Sequence, residues 1–211
     1  MAGVSGTAAH WDDAYAQGDV ARSWFQRQPT ISMQMLDAAE VTARDSVIDV
    51  GGGASLLVDV LLGRGFRDIT VLDISAAGLQ YAQRRLGARA ELVQWLVADI
   101  LTWEPRRRYQ VWHDRAVFHF LTAPPDRRRY LRVLAAATEP DAIAVFGCFA
   151  PEGPPQCSGM PVARYSPAEL SDQLGNEWML IGRDHEEHVT PAGIIQPFTW
   201  AVLRRLRPPG V

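Results

Sequence analysis

From about residue 45 onward, the apolar residues fall into short runs rich in valine, isoleucine and leucine. Between them lie longer stretches in which apolar positions recur every three or four residues. The first pattern reads as strands buried on both faces, the second as helices with one apolar side. Strands are expected at 46–50, 69–72, 92–97, 111–114, 142–149, 179–183 and 198–203, and helices at 54–64, 75–86, 126–137 and 167–174. Alternation in this order builds βαβ units, so the fold class is α/β: a Rossmann-like, doubly wound sheet of seven strands, mostly parallel. No helix follows the last two strands, which makes them a C-terminal antiparallel hairpin at a sheet edge, joined through 190–196.

The best-marked boundary is at Ser166-Pro167-x-Glu169, which has a serine N-cap, a proline in the first turn and a glutamate at the third position. Residues 1–43 give two helical patches, around 11–15 and 31–40, and read as an N-terminal cap on a core spanning 44–205. The whole chain, 1–211, is expected to be one domain, with a Pro- and Gly-rich loop at 151–161 long enough to act as a lid and a tail at 207–211 that should fray.

At 211 residues and 47% apolar, the chain can bury about 70% of the surface its unfolded form would expose. All 21 basic residues are arginine, so no lysine is present for a Schiff base, a pyridoxal phosphate anchor or a phosphate loop. A net charge of -3 gives no broad positive field, so nucleic acid is not an expected partner. Residues 1–10 lack a leader pattern and no apolar run is long enough to span a membrane, so a cytoplasmic protein with no membrane partner is expected. Cys148 and Cys157 match no zinc spacing and read as free thiols, and no metal site is expected. His185-Glu186-Glu187-His188 reads as a solvated turn in the edge hairpin, with His188 the one member of interest.

The most informative run is Asp49-Val50-Gly51-Gly52-Gly53, where a buried strand enters three glycines and then a helix. Such a turn lets a ligand approach the backbone closely. A dinucleotide fingerprint would want glycine where Leu56 stands, which counts against a nicotinamide-dependent oxidoreductase. What fits is a small adenosine cofactor without a pyrophosphate. Asp73 ends the second strand, where a carboxylate can accept from both ribose hydroxyls. Asp99 ends the third, where it can accept from an adenine amine while Ile74 and Ile100 pack on the ring faces.

These three motifs together resemble the class I, seven-strand S-adenosylmethionine-dependent methyltransferases, over roughly residues 10–205. The opening His10-Trp11-Asp12-Asp13-Ala14-Tyr15 is similar to the W-D-x-x-Y start of a branch that includes protein-lysine and many bacterial small-molecule enzymes. The resemblance implies S-adenosylmethionine as cofactor, with its methionine end facing the glycine turn and its ammonium held by Asp49. The cofactor contacts it implies are Trp24, Asp49, Gly51, Gly52, Gly53, Asp73, Ile74, Asp99, Ile100 and His113. Trp11, Tyr15, Trp24 and Phe25 could close an aromatic lid over the sulfonium.

Methyl transfer is an in-line displacement that chiefly requires positioning and exclusion of water, with a base needed only for a protonated nucleophile. The fourth strand runs into His113-Asp114-Arg115 and then His119, a concentration of titratable groups that makes these four the candidates for catalysis. Asp114 and Arg115 could equally pair with each other, and His119 could equally be a core histidine. Tyr15, Cys157, Arg164 and Tyr165 are the candidate substrate contacts, the last three from the segment after the fifth strand. A small-molecule acceptor is expected, with a protein lysine as the alternative and a non-catalytic cofactor-binding protein as a third reading.

Overall fold

The computed structural model describes residues 6–16 and 22–207; the ends expected to carry no leader and to fray fall partly outside them. Seven strands form one sheet in the order β3-β2-β1-β4-β5-β9-β8. β1 (Val47–Val50), β2 (Ile69–Asp73), β3 (Val93–Val97), β4 (Tyr109–Arg115) and β5 (Thr138–Phe149) run parallel, while β9 (Ile195–Arg205) and β8 (Trp178–Val189) complete an antiparallel edge. This is the expected doubly wound class. A small hairpin, β6 (Gln156–Cys157) with β7 (Met160–Pro161), folds the 151–161 loop back on itself at Ser158 and Gly159, both at positive φ.

The period-two alternation of the strands splits the core in two. On one face Val47, Val111, Phe198 and Trp200 pack with α2 (Thr30–Ala38), α3 (Leu57–Gly63) and Leu79 and Leu86 of α4 (Ala76–Leu86). On the other, Ile48, Val50 and Trp112 pack with Tyr130 and Leu134 of α5 (Pro124–Ala137) and with Leu170 and Leu174 of α6 (Pro167–Leu174). From Val111 onward, past the register shift that leaves Tyr109 in the α5-side core, odd-numbered residues of β4 face the N-terminal cap and even-numbered ones face α5. That parity decides which of the strand's polar residues can reach a ligand.

Helix starts follow their local chemistry. α6 has the full capping box: Ser166 Oγ accepts from the Glu169 N–H, and the Ser166 N–H donates back to Glu169 at 2.7 Å. α3 begins at Leu57, three residues later than expected, because Gly51 to Leu56 are consumed in the turn and Ser55 Oγ accepts from the Leu57 N–H at 3.1 Å. α5 begins two residues early, at a proline pair.

α1 (Ala8–Ala16) is fixed to the sheet by Asp12 of the W-D-x-x-Y run. Its Oδ1 accepts from Ser75 Oγ at 2.6 Å and from the Ala77 N–H at 3.1 Å, while Ser75 Oγ in turn caps α4 through the Gly78 N–H at 3.0 Å. The aspartate thus caps a cap, satisfying amides at a helix N-terminus that would otherwise be left unpaired.

The expectation for 185–188 is corrected. These residues are not a turn but part of β8, which runs to Val189 and pairs His185 with Thr199 and His188 with Gln196. Alternation turns Glu186 and His188 inward, where Glu186 accepts from Trp200 Nε1 at 2.8 Å and from Gln26 Nε2 at 2.6 Å, and His188 Nε2 meets the Ser23 carbonyl at 2.6 Å. The hairpin thereby grips the cap. No helix among the described residues is long and apolar enough to cross a membrane.

Asp12→Ala should lower stability by about 1–2 kcal/mol by urea unfolding, whereas Ser166→Ala should cost about 1 kcal/mol. A change below about 0.3 kcal/mol for Asp12→Ala would show that α1 is not held through this bond.

Candidate functional site

The carboxyl ends of β1, β2, β3 and β4 open onto one edge of the sheet, where ligands of open α/β sheets bind. At the end of β1, Gly51 has φ 68° and Gly53 φ 43°, a region that side chains disfavour. A Cβ on Gly51 would lie 2.0 Å from Val117 Cγ2, and one on Gly53 would lie 2.1 Å from the Tyr15 hydroxyl. A Cβ on Gly52 would meet the Asp49 carboxylate and Val71, each at 2.6 Å. All three glycines are therefore demanded by what packs on them.

Two cavities meet at this turn. The larger, a cleft of about 870 Å³ including its open mouth, runs from Asp73, Ile74, Asp99 and Ile100 to Trp11, Phe120 and Cys157. The smaller, about 610 Å³, lies beneath α2 and is lined by Asp49, His113, Ser32, Arg22 and the glycine turn. Tyr15, Trp24, Gly51 and Arg115 line both. The Tyr15 and Trp24 rings stand edge to face, 6.4 Å apart, as a wall between them. Phe25 borders the smaller cavity.

Asp73 is 7% exposed and its Oδ1 accepts from the Ser75 N–H at 2.7 Å. Burial pushes its carboxyl up to about 7, against the downward pull of that amide. Asp99 Oδ1 accepts from the Leu101 N–H at 2.8 Å, and the residue stands at the cleft with Ile74 and Ile100. In the smaller cavity Asp49 is 3% exposed and bonds His113 Nδ1 at 2.7 Å, while His113 Nε2 meets Ser32 Oγ at 3.0 Å. A neutral ring that donates from Nδ1 to Asp49 would accept the serine hydroxyl at Nε2. His113 thus has both nitrogens engaged and is held beside Asp49 rather than at the acceptor end of the cleft.

Arg115, on the same strand face as His113, reaches the wall between the cavities. Asp114 points the other way. Its carboxylate is fully buried on the α5 side, accepts from the Val117 and Phe118 amides and from Tyr130 Oη, and lines neither cavity. Burial raises it to about 6, with the Tyr130 hydroxyl pulling down. Among the described residues no ion pair joins it to Arg115; strand parity forbids one.

His119 is likewise outside both cavities. Its ring lies between Phe120 and Phe149, with centroids at 4.5 and 4.9 Å, and Nδ1 accepts from the Phe149 N–H at 3.4 Å. Burial, helped by the Arg115 charge, lowers it to about 3, so it stays neutral and packs as a core histidine.

Of the candidate substrate contacts, Tyr15 and Cys157 line the larger cleft, whereas Arg164 and Tyr165 do not. Arg164 Nη1 donates to the Gly153 carbonyl at 3.1 Å and pins the 151–161 loop, and Tyr165 packs on Phe118 in the α5-side core. Burial pushes the Cys157 thiol up to about 11, so it is protonated at neutral pH. Cys148 belongs to the opposite core, and the two cysteines are separate free thiols.

Sequence reasoning missed Arg22 and Ser32. Arg22 stacks on Tyr15 at 4.0 Å and lines the smaller cavity, and its signal was a lone cation two residues ahead of Trp24. Ser32 is one polar position within the buried face of α2.

A family profile described as a methyltransferase domain matches residues 47–141. EEF1A lysine methyltransferase 2 from Danio rerio is 23% identical over 158 residues, covering 66% of this chain and 67% of that protein. The solved structure concerned with conversion of a disulfide bond into a thioacetal group during echinomycin biosynthesis superposes at TM-score 0.74, with 22% identity, over 95% of this chain and 93% of that one. N-methyltransferase NodS from Bradyrhizobium japonicum WM9, in complex with S-adenosyl-L-homocysteine, superposes at 0.71 with 14% identity, over 96% and 100%. The two structural likenesses are of fold.

Asp73 sets a pH dependence. A buried acid raised from 3.8 to about 7 favours the fold while protonated; that contribution is complete below 3.8 and lost as pH rises to about 7. Ribose hydroxyls donating to the carboxylate would favour its charged form. Binding of S-adenosylhomocysteine should therefore tighten as pH rises through about 7, with Asp73→Asn flattening the profile in calorimetry. A wild-type affinity that is flat from pH 5.5 to 8.5 would remove Asp73 from the site.

Proposed function

We propose that the chain is a class I, Rossmann-fold S-adenosylmethionine-dependent methyltransferase, a reading supported by its fold and by the methyltransferase-domain match over 47–141, and that its acceptor is a small molecule, methylated on nitrogen, oxygen or sulfur in the aromatic end of the larger cleft. The observation that carries this is the junction of the two cavities at Gly51, Tyr15, Trp24 and Arg115. An adenosine half and an amino-acid half can each find their own chemistry on opposite sides of it.

The residues present fit S-adenosylmethionine. Asp73 offers a buried carboxylate for ribose hydroxyls, and Asp99 with Ile74 and Ile100 offers an acceptor and two apolar faces for adenine. The smaller cavity presents a carboxyl group and a guanidinium, Asp49 and Arg22, whose chemistry matches the ammonium and carboxylate of an amino acid. Bound there, the cofactor supplies a methyl group on cationic sulfur, open to in-line displacement.

The chain's own work is positioning and drying. Trp11 lies edge to face with Trp24 at 5.8 Å and with Phe120 at 5.1 Å, so the acceptor end is walled by rings that exclude water and favour a nearby cation. Among the described residues near the aromatic end, Cys157 holds its proton, and His119 and Asp114 line neither cavity. The acceptor must then arrive with its nucleophile unprotonated or readily deprotonated by water.

A protein lysine is the second reading, carried by the name of the zebrafish relative. The partly enclosed aromatic end of the cleft favours the small acceptor. The test is calorimetry followed by a labelled-methyl acceptor screen. Micromolar binding of S-adenosylmethionine and S-adenosylhomocysteine without NAD is expected, and Asp73→Ala should weaken it on the order of 100-fold or more through loss of two charge-assisted hydrogen bonds. Label should then pass to small thiols, phenols or ring nitrogens. Transfer confined to protein would overturn the acceptor assignment, and equal binding by Asp73→Ala would overturn the ribose contact.

A further inference from the structure

Arg115 is a cation at the meeting point of the two cavities, where burial opposes its charge. It ends β4 on the cap-facing side, and its guanidinium lies 4.6 Å from the centroid of the Phe198 ring. Nη1 donates to the Trp24 carbonyl at 3.0 Å. Nε and Nη2, on the opposite edge, are buried and without a hydrogen-bond partner among the described residues.

That edge is particular. The Nε–H and one Nη2–H point in parallel, at the spacing of the two oxygens of a carboxylate, which is why arginine so often binds acids side-on with both groups at once. Leaving a charged group buried and unpaired is costlier than leaving a neutral one, so this edge calls for a partner such as a bound anion or water. The surrounding acids do not meet the need. Glu186, whose charge acts on Arg115, is occupied by Trp200 Nε1 at 2.8 Å and Gln26 Nε2 at 2.6 Å, and no ion pair links it to Arg115 among the described residues. Cys157, the neighbouring thiol, keeps its proton. The unpaired edge belongs to a residue that lines both cavities, and the larger of them has its acceptor end bounded by Trp11, Trp24 and Phe120.

We infer that the acceptor is a small aromatic carboxylic acid, its ring held among Trp11, Trp24 and Phe120 and its carboxylate bound side-on by Nε and Nη2 of Arg115. The inference rests on reading this cleft as the acceptor pocket of a methyltransferase, and it names the substrate class of that pocket. It also gives Arg115 a binding role in place of a share in proton transfer, for which an arginine is unsuited.

The test uses the full chain saturated with S-adenosylhomocysteine, titrated by calorimetry with benzoate, 4-hydroxybenzoate, 2-mercaptobenzoate and nicotinate, and with the matching amides. The acids should bind at least tenfold more tightly than their amides. Arg115→Gln should erase that preference while leaving S-adenosylhomocysteine affinity within about twofold, and Arg115→Lys, with a charge but no fork, should restore part of it. Wild-type protein that takes acids and amides alike overturns the inference, a comparison that needs no variant to fold. A tenfold loss of S-adenosylhomocysteine in Arg115→Gln with the acid preference intact also overturns it, because the anion served would then be the cofactor's own carboxylate. Wild-type protein that binds no S-adenosylhomocysteine brings down the reading of the site as a whole, and this inference with it.

Discussion

The absence of side chains at the end of β1 is the constraint on which the rest depends. Gly51 and Gly53 hold positive φ, and the space their Cβ atoms would fill is taken by Val117 from the β4 side and by Tyr15 from the cap. Gly78 of α4 completes the seat, since a Cβ there would lie 2.7 Å from the Tyr15 ring. One turn therefore fixes both the strand's exit and the docking of α1. With Asp12 holding the start of α4, the cap is tied to the sheet at two points of the same short helix. The wall between the two cavities exists because Tyr15 is seated there.

The second organising feature is where the fold tolerates buried charge. Asp49, Asp73 and Arg115 all lie toward the carboxyl ends of central strands, and for Asp73 and Arg115 burial opposes the charged form. Each borders a cavity, and Arg115 keeps two buried nitrogens without a hydrogen-bond partner among the described residues. Asp114, one residue from Arg115, is the contrast: two backbone amides and the Tyr130 hydroxyl satisfy it completely, and it borders none. A buried ion with its bonds made supports the fold, whereas one with bonds to spare waits for a ligand.

Much of this was legible in the sequence, for reasons that are local. Period-two and period-3.6 patterns placed the central strands and helices, the capping box marked α6 to the residue, and Asp73 was expected at the end of β2, where it stands, while Asp99, expected to end β3, lies two residues beyond it. Misassigned residues were those whose roles depend on partners far along the chain. His113, Asp114, Arg115 and His119 looked alike as titratable groups in one run; parity across β4 and the packing of Phe120 and Phe149 separated two that face the cavities from two that do not. Glu186 and His188 read as a turn because their run is polar, and it is a strand because β9 pairs with it and the cap covers its inner face. Arg164 and Tyr165 followed the right strand but serve the loop and the opposite core.

A crystal structure of the protein with S-adenosylhomocysteine is the decisive measurement, because the two cavities offer different walls to the two halves of one ligand. Adenosine is expected in the larger cleft with both ribose hydroxyls on Asp73. The amino-acid end is expected beneath α2 between Asp49 and Arg22, with the Nε–Nη2 edge of Arg115 left to the acceptor. Adenosine elsewhere, or a homocysteine carboxylate seated on Arg115, would contradict this placement.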